Sequence, residues 1–214
     1  MQPKAVIFDV GGVLLGSPFL AALRWAEDWD IPVGALKKIF GDYARSPKQD
    51  EDPSLWNEVE CGRVELADFV TKMKSELLRE LSPEHRAANI KAEDFDPFSE
   101  AEPVALMLDL SYEVRSKGIR TAILTNNVKE WRQWRDRIPI ELFDPVVDSC
   151  EVGLRKPDPE IYLLTCSQLG VAPWECLFLD DHPDNIEGAR AVGMEALLVS
   201  DDFEATVMEV HSRL

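Results

Sequence analysis

Histidine is scarce in this chain, and its cysteines form no recognisable pattern. His85, His182 and His211 lie far apart, which argues against a zinc cluster. Cys61, Cys150, Cys166 and Cys176 include no C-x-x-C pair, so they read as reduced structural thiols of a cytoplasmic protein. No apolar stretch approaches the roughly 18 residues of a membrane span. The start of the sequence enters a strand at Ala5, with no basic segment and apolar signal region before it. Positive charge is also short: 23 Lys and Arg face 40 Asp and Glu, a net charge of −17. Such a field repels nucleic acid and anionic membranes at long range. It repels anionic substrates too, so a phosphate site here needs a concentrated local cation. Several nucleotide and hydrolase motifs are missing. Gly11 and Gly16 have P-loop spacing, but no Lys-Ser/Thr follows. There is no G-x-G-x-x-G and no G-x-S-x-G.

What is present is an α/β rhythm. The 214 residues, 45% apolar and 29% charged, suit one globular core with a smaller insert. Short apolar runs recur at Lys4–Phe8, Ile119–Leu124, Pro145–Asp148, Cys176–Leu179 and Ala196–Val199. They are continuous rather than alternating, as in parallel strands buried on both faces. Helical patterns separate the later runs: Ala101–Lys117 ending before Gly118, Pro159–Leu169 between Asp158 and Gly170, and Asn185–Val192 before Gly193. This is the pattern of a doubly wound, Rossmann-like parallel sheet. After the first strand come about 80 residues with little strand character. Helical patterns there cover Pro18–Trp29, Val33–Ala44, Leu55–Glu60 and Glu65–Leu81, with a polar loop at Ser46–Pro53. The chain therefore reads as an α/β core of residues 1–15 and 99–214 with a helical cap, 16–98, inserted after the first strand and rejoined through Phe95–Ser99.

Ligands of open α/β sheets bind beyond the carboxyl ends of the strands. At those ends the sequence places Asp9, then Thr125-Asn126-Asn127, then the cationic loop Gly153-Leu-Arg-Lys-Pro157, then Asp180-Asp181 with Asn185 four residues on. A strand-tip carboxylate can act as a nucleophile when it is held in place. Paired acids offer hard oxygen ligands to Mg²⁺, and a Lys offsets phosphoryl charge.

These residues, in the stretches FDVGGVL (Phe8–Leu14), ILTNN (Ile123–Asn127), GLRKPDPEIY (Gly153–Tyr162) and FLDDHPDNIEGARAVG (Phe178–Gly193), resemble the haloacid dehalogenase superfamily. Within it they are similar to the phosphatase domain of soluble epoxide hydrolases and the related domain of some acyl-CoA dehydrogenases. The resemblance implies a Mg²⁺-dependent phosphomonoesterase acting on a small phosphorylated metabolite. Asp9 would be the nucleophile and form an aspartyl-phosphate. Thr125 and the Asn126 backbone would bind the phosphoryl group, and Lys156 would stabilise its charge. Asp181, Asp180, Asp9 and the Gly11 carbonyl would surround the metal, with Asn185 in support. Cap closure would exclude water.

One departure stands out. Most phosphatases of this family read Asp-x-Asp, the second Asp serving as general acid and base. Here that position is Gly11, and Gly12 follows. General acid–base help is worth ~10²–10⁴-fold. Three outcomes stay open. Substrates with good leaving groups, such as sugar 1-phosphates or acyl phosphates, need less help. Another residue substitutes, His182 or a cap acid such as Asp28 or Asp30. Or the domain survives as a binding module. A metal-free 2-haloacid dehalogenase also uses an Asp nucleophile and lacks the second Asp, although Asp180-Asp181 suits a metal better than a halide. Gly12 has a conformational reading as well, since glycine permits φ > 0 and close approach. Lys129–Arg137, cationic and rich in Trp, reads as a helix face that packs its Trp inward, and Trp25, Trp29 and Trp56 read as core. Oligomeric state leaves no mark on the sequence.

Overall fold

The computed structural model describes residues 2–35, 53–96, 99 and 101–214. Its centre is a parallel five-stranded sheet in the order β3-β2-β1-β4-β5. The strands are β1 (Ala5–Phe8), β2 (Arg120–Thr125), β3 (Val146–Asp148), β4 (Cys176–Asp180) and β5 (Glu195–Leu198). The chain winds outward from β1 through β2 to β3 and the short helix α5 (Ser149–Val152), then returns to the other side of β1 for β4 and β5. The switch point of the topology therefore lies between β1 and β4, where open α/β sheets bind ligands.

Strand alternation sorts the core into two layers. Val6, Phe8, Ile123, Leu177 and Leu179 face one side, with Met107, Leu110 and Val114 of α4 (Ala105–Ser116) and Val210 of α8 (Phe203–His211). Ala5, Ile7, Ala122, Leu124 and Phe178 face the other, with Ile161, Tyr162 and Cys166 of α6 (Pro159–Leu169) and Ile186 and Ala189 of α7 (Pro183–Ala191). Both faces are covered, which is why the strands are continuously apolar rather than alternating. Each fully buried Phe, Ile or Leu side chain contributes about 1.5–3 kcal/mol.

A helical insertion follows β1. Its described helices are α1 (Pro18–Asp28), α2 (Leu55–Glu60) and α3 (Leu66–Glu80). Ser54 caps α2 by accepting the Asn57 N–H at 3.2 Å. The expected helix Val33–Ala44 is helical at 33–35, and its remainder lies outside the described residues, as do 46–52 of the polar loop and 97–98 of the return junction. Aromatic rings join the insertion to the sheet: Trp56 packs at a tilt against Trp131, ring centroids 5.7 Å apart, and Trp131 Nε1 donates to the Phe95 carbonyl at 2.7 Å. Trp56 is buried in the core, and Trp25 and Trp29 pack against it half-buried.

One sequence expectation needs correction. Lys129–Arg137 is no α-helix: it is a turn followed by a 3₁₀ segment at Gln133–Asp136. Trp131 and Trp134 are nonetheless buried, so their apolar surface goes where expected. Asp158 stands at the N-cap of α6 but makes no side-chain capping bond; Pro159 starts the helix and Gly170, at φ 66°, ends it. No helix among the described residues is long and apolar enough to cross a membrane.

Candidate active site

β1 and β4 pair in parallel with Phe8 opposite Leu179, and the Asp9 N–H donates to the Leu179 carbonyl at 2.9 Å. Asp9 and Asp180 therefore leave the sheet side by side. Lys156 reaches between them: its Nζ lies 2.8 Å from Asp9 Oδ1 and 2.6 Å from Asp180 Oδ2, and donates to the Leu124 carbonyl at 3.0 Å. The lysine is only 1% exposed. An ammonium so deeply buried persists only when such partners surround it.

Asp180 is wholly buried and saturated. Its Oδ1 accepts the His182 N–H at 2.8 Å and Asn185 Nδ2 at 3.0 Å, while Oδ2 accepts Lys156 and, at 3.1 Å, Asn185 again. Asn185 is in turn fixed by Tyr162, whose hydroxyl donates to its carbonyl at 2.8 Å. Asp9 is less completely satisfied. Its Oδ1 accepts the Val10 N–H at 2.7 Å and faces Lys156, while Oδ2 accepts no hydrogen bond among the described residues. Asp181 is exposed and pairs with no other side chain among the described residues.

Carboxylate oxygens of Asp9, Asp180 and Asp181 lie within 4.8 Å of one another. Three carboxylates against one lysine leave a local excess of negative charge. Burial pushes Asp9 up to about 8, with Asp180 and Asp181 adding to the rise and Lys156 opposing it. Although Asp181 is exposed as a residue, the atoms crowded around its carboxylate withdraw it in part from water, and with the Asp180 charge this raises it to about 6, against the pull of Lys156 and His182. Burial works against the Lys156 charge, but Asp180 and Asp9 outweigh it and hold the ammonium above the usual lysine range. This donor set fits a small divalent cation, which prefers carboxylate oxygens and would reverse the acidic upshifts. The turn leaves room for the Asp181 carboxylate. Gly12 has φ 72°, and a Cβ there would overlap the Asp181 carboxylate. The Val10 carbonyl takes the turn's N–H groups, from Val13, Leu14 and Leu15. Gly11 is buried and, unlike Gly12, is not at positive φ.

The other sequence candidates fall as follows. Thr125 is buried at the tip of β2, and its hydroxyl makes only a long 3.5 Å contact to the Asn126 carbonyl. The Asn126 side chain has a role that strand-tip reasoning missed: Oδ1 accepts the Lys156 N–H at 2.8 Å and Nδ2 donates to the Lys156 carbonyl at 3.0 Å. Only one of the two adjacent cations faces the acids. Arg155 turns away, its Nε donating to Glu60 Oε2 at 2.7 Å. His182 is the N-cap of α7, with Nδ1 accepting the Asp184 N–H at 3.3 Å. The cationic stretch is occupied by the protein itself: Lys129 pairs with Glu65 at 3.3 Å, Arg135 with Asp148 at 2.9 Å, and Arg137 donates to the Ala101 carbonyl at 2.8 Å. A separate cleft of about 260 Å³ lies between α1 and residues Asp94, Phe95, Asp96 and Ser99, lined also by Trp25 and Trp29 and by none of the strand-tip residues.

The fold and this edge define an α/β enzyme core with a lysine-bridged acidic centre at its switch point. Residues 3–193 match the model of the haloacid dehalogenase-like hydrolases, and the chain belongs to that family. It is 30% identical over 217 residues to mouse (Mus musculus) acyl-CoA dehydrogenase family member 10, covering 99% of this chain and 19% of that protein. It is 32% identical over 212 residues to pig (Sus scrofa) bifunctional epoxide hydrolase 2, covering 94% of this chain and 37% of that protein. The chain thus spans a minor part of these two relatives. A sesquiterpene phosphatase of Aspergillus oryzae is 30% identical over 209 residues, 97% of this chain and 94% of its own length. Among solved structures, a family enzyme of Bacteroides thetaiotaomicron in complex with magnesium and inorganic phosphate superposes with TM-score 0.65 at 19% identity, covering 95% and 98% of the two chains. A dehalogenase superposes with TM-score 0.67 at 21% identity, covering 98% and 96%. These two likenesses bear on the fold.

Proposed function

We propose that this hydrolase is a Mg²⁺-dependent phosphomonoesterase in which Asp9 is the nucleophile, acting on a small phosphorylated metabolite. The observation that carries the reading is the Asp9–Lys156 pair at 2.8 Å beside the carboxylates of Asp180 and Asp181. The phosphatase among the full-length relatives supports it. In this reading residues 16–98 cap the site and residues 1–15 and 99–214 form the core. The four free, buried thiols favour a reducing, cytoplasmic setting.

The metal would be held by Asp181, Asp9 and the Gly11 carbonyl, with Asp180 behind them, and would supply charge neutralisation at the phosphoryl oxygens and at Asp9. Asp9 Oδ2, the oxygen without a hydrogen-bond donor, attacks phosphorus. The bond to the leaving oxygen breaks and its electron pair leaves with that oxygen, giving phospho-Asp9. Lys156, anchored on Leu124 and Asp180, balances charge on the transferring group. Thr125 and the Asn126 N–H orient it. Water then attacks phosphorus, releasing phosphate and restoring the Asp9 carboxylate. Asp180 stays in place throughout as the anchor of Lys156.

Gly11 shapes the substrate choice. No carboxylic acid at that position protonates the leaving oxygen, so esters of weakly basic leaving groups, acyl or glycosyl phosphates, are the favoured class. The test is phosphate release from phosphomonoesters of graded leaving-group basicity, with Mg²⁺ or chelator, beside Asp9→Asn. The expected result is Mg²⁺-dependent release that rises steeply as the leaving group improves and is lost in Asp9→Asn. A correctly folded protein that releases phosphate from none of them, or that releases chloride from 2-chloro acids, would overturn the proposal.

A further inference from the structure

The turn between α2 and α3 rests on the loop that delivers Lys156. Glu60 and Arg155 form a buried ion pair at 2.7 Å, with the residues 9% and 6% exposed. The Glu60 carbonyl accepts the Ser149 hydroxyl at 2.6 Å, and the same hydroxyl oxygen accepts the Asn127 N–H at 2.9 Å. Two residues on, Gly62 has φ 67° and comes so close to the Cys150 carbonyl that a Cβ would clash with it. Arg63 Nη1 then donates to the Gly153 carbonyl at 3.0 Å. One four-residue stretch of the helical insertion thus touches residues 149, 150, 153 and 155.

These contacts matter because of what the loop carries. The backbone of Lys156 is gripped from the sheet side by the Asn126 side chain, at 2.8 and 3.0 Å. From the other side, the residue before it is held by Glu60. A buried ion pair often adds little net stability over an apolar pair of similar volume, but removing one partner strands a charge. Its main effect here is geometric: it allows one placement of residue 155, and through it of Lys156.

We propose that Glu60 is a positioning residue for the active site: through Arg155 it fixes the loop 153–157, and with it the catalytic lysine, against the helical insertion. The role assigned to Lys156 rests on the phosphomonoesterase reading; the mechanical coupling does not.

Two readouts separate these claims. The first is hydrogen exchange of the backbone amides in loop 153–157 of the full chain, comparing wild type with Glu60→Gln, which keeps the side-chain volume and removes the charge. Exchange at 153–157 should speed up while exchange in β1 and β4 stays unchanged. The second is steady-state hydrolysis of an activated aryl phosphate. Here kcat should fall roughly ten- to a hundredfold, since misplacing a reacting group by about 1 Å costs on the order of 10²-fold. KM should change less. Glu60→Asp, which keeps the charge, should recover part of the loss, and it takes over the test if Glu60→Gln fails to fold. In a Lys156→Met background Glu60→Gln should cost nothing further, because both act through one group. Unchanged exchange at 153–157, or full additivity with Lys156→Met, overturns the proposal. Faster loop exchange in a protein that hydrolyses no ester would uphold the coupling and sink the phosphatase reading. An active wild type with an unaffected loop would sink the coupling alone.

Discussion

The tips of β1 and β4 carry the same residue in adjacent places and surround it differently. Asp180 sits among converging donors, from His182, Asn185 and Lys156, which occupy both its oxygens. Asp9 has donors on one oxygen only, and burial raises it to about 8. A saturated buried carboxylate is a fixture: its lone pairs are spent on protein donors, and it holds a lysine in place. A buried carboxylate with one open oxygen, sharing its lysine with a neighbouring acid, keeps lone pairs free for a ligand. In the proposed reading, side-by-side strands thus supply an anchor and a nucleophile from one amino-acid type.

The largest stability effect should come from attacking the anchor. In Asp180→Asn an amide donor replaces an acceptor where several donors converge, and Lys156 loses its nearest counter-charge. A loss of about 3–5 kcal/mol is expected, the usual cost of breaking a buried pair, read as a fall in Tm. Asp9→Asn should do the reverse, leaving Tm in chelator unchanged or raised, because it removes one of three crowded carboxylates. Equal destabilisation by the two substitutions would erase the distinction between them.

A smaller effect is expected at the turn between the tips. Gly12→Ala places a Cβ at φ 72° against the Asp181 carboxylate. The backbone conformation alone costs about 1–2 kcal/mol, and the displaced carboxylate should abolish stabilisation by Mg²⁺. A variant that keeps the full Mg²⁺-induced rise in Tm would remove Asp181 from the metal site.

A further expectation is a pH dependence. Asp9 lies at about 8 in the folded protein against 3.8 as its ordinary value. Between those values the folded state keeps a proton that the unfolded chain has lost, so stability falls as pH rises through that window. Asp181 adds the same sign between 3.8 and about 6. In chelator, Tm should therefore decline from mildly acid to mildly alkaline pH, and Mg²⁺ should flatten the decline by favouring the ionised carboxylates. Parallel curves with and without Mg²⁺ would contradict the placement of a cation among these acids.

Much of this was legible from local pattern. The five strands announce themselves as short apolar runs because both sheet faces are covered. Helix α6 is readable at both ends because Pro159 starts it and Gly170 adopts the left-handed conformation that stops it. The segregation of Asp9, Thr125, Lys156 and Asp180 to one edge follows from their positions after parallel strands. Long-range pairing was not legible. The Asn126 clamp on Lys156 spans 30 residues and the Glu60–Arg155 pair spans 95, and neither leaves a periodic trace. Helix α8 was missed, its apolar face being short and interrupted by acids. His182, weighed as a stand-in acid, is an N-cap, a role its position before Pro183 foreshadows.

Phosphorylation of Asp9 is tested most directly by a rapid-quench experiment with an activated aryl phosphate and Mg²⁺. The residue missing at position 11 would also have activated the water that clears the phosphoenzyme. The expected result is a burst of aryl alcohol near one equivalent per protein, a slower steady state, and a phosphoryl group on the Asp9 peptide by mass spectrometry. Turnover retained in Asp9→Asn, or a phosphoryl group trapped on another residue, would contradict it.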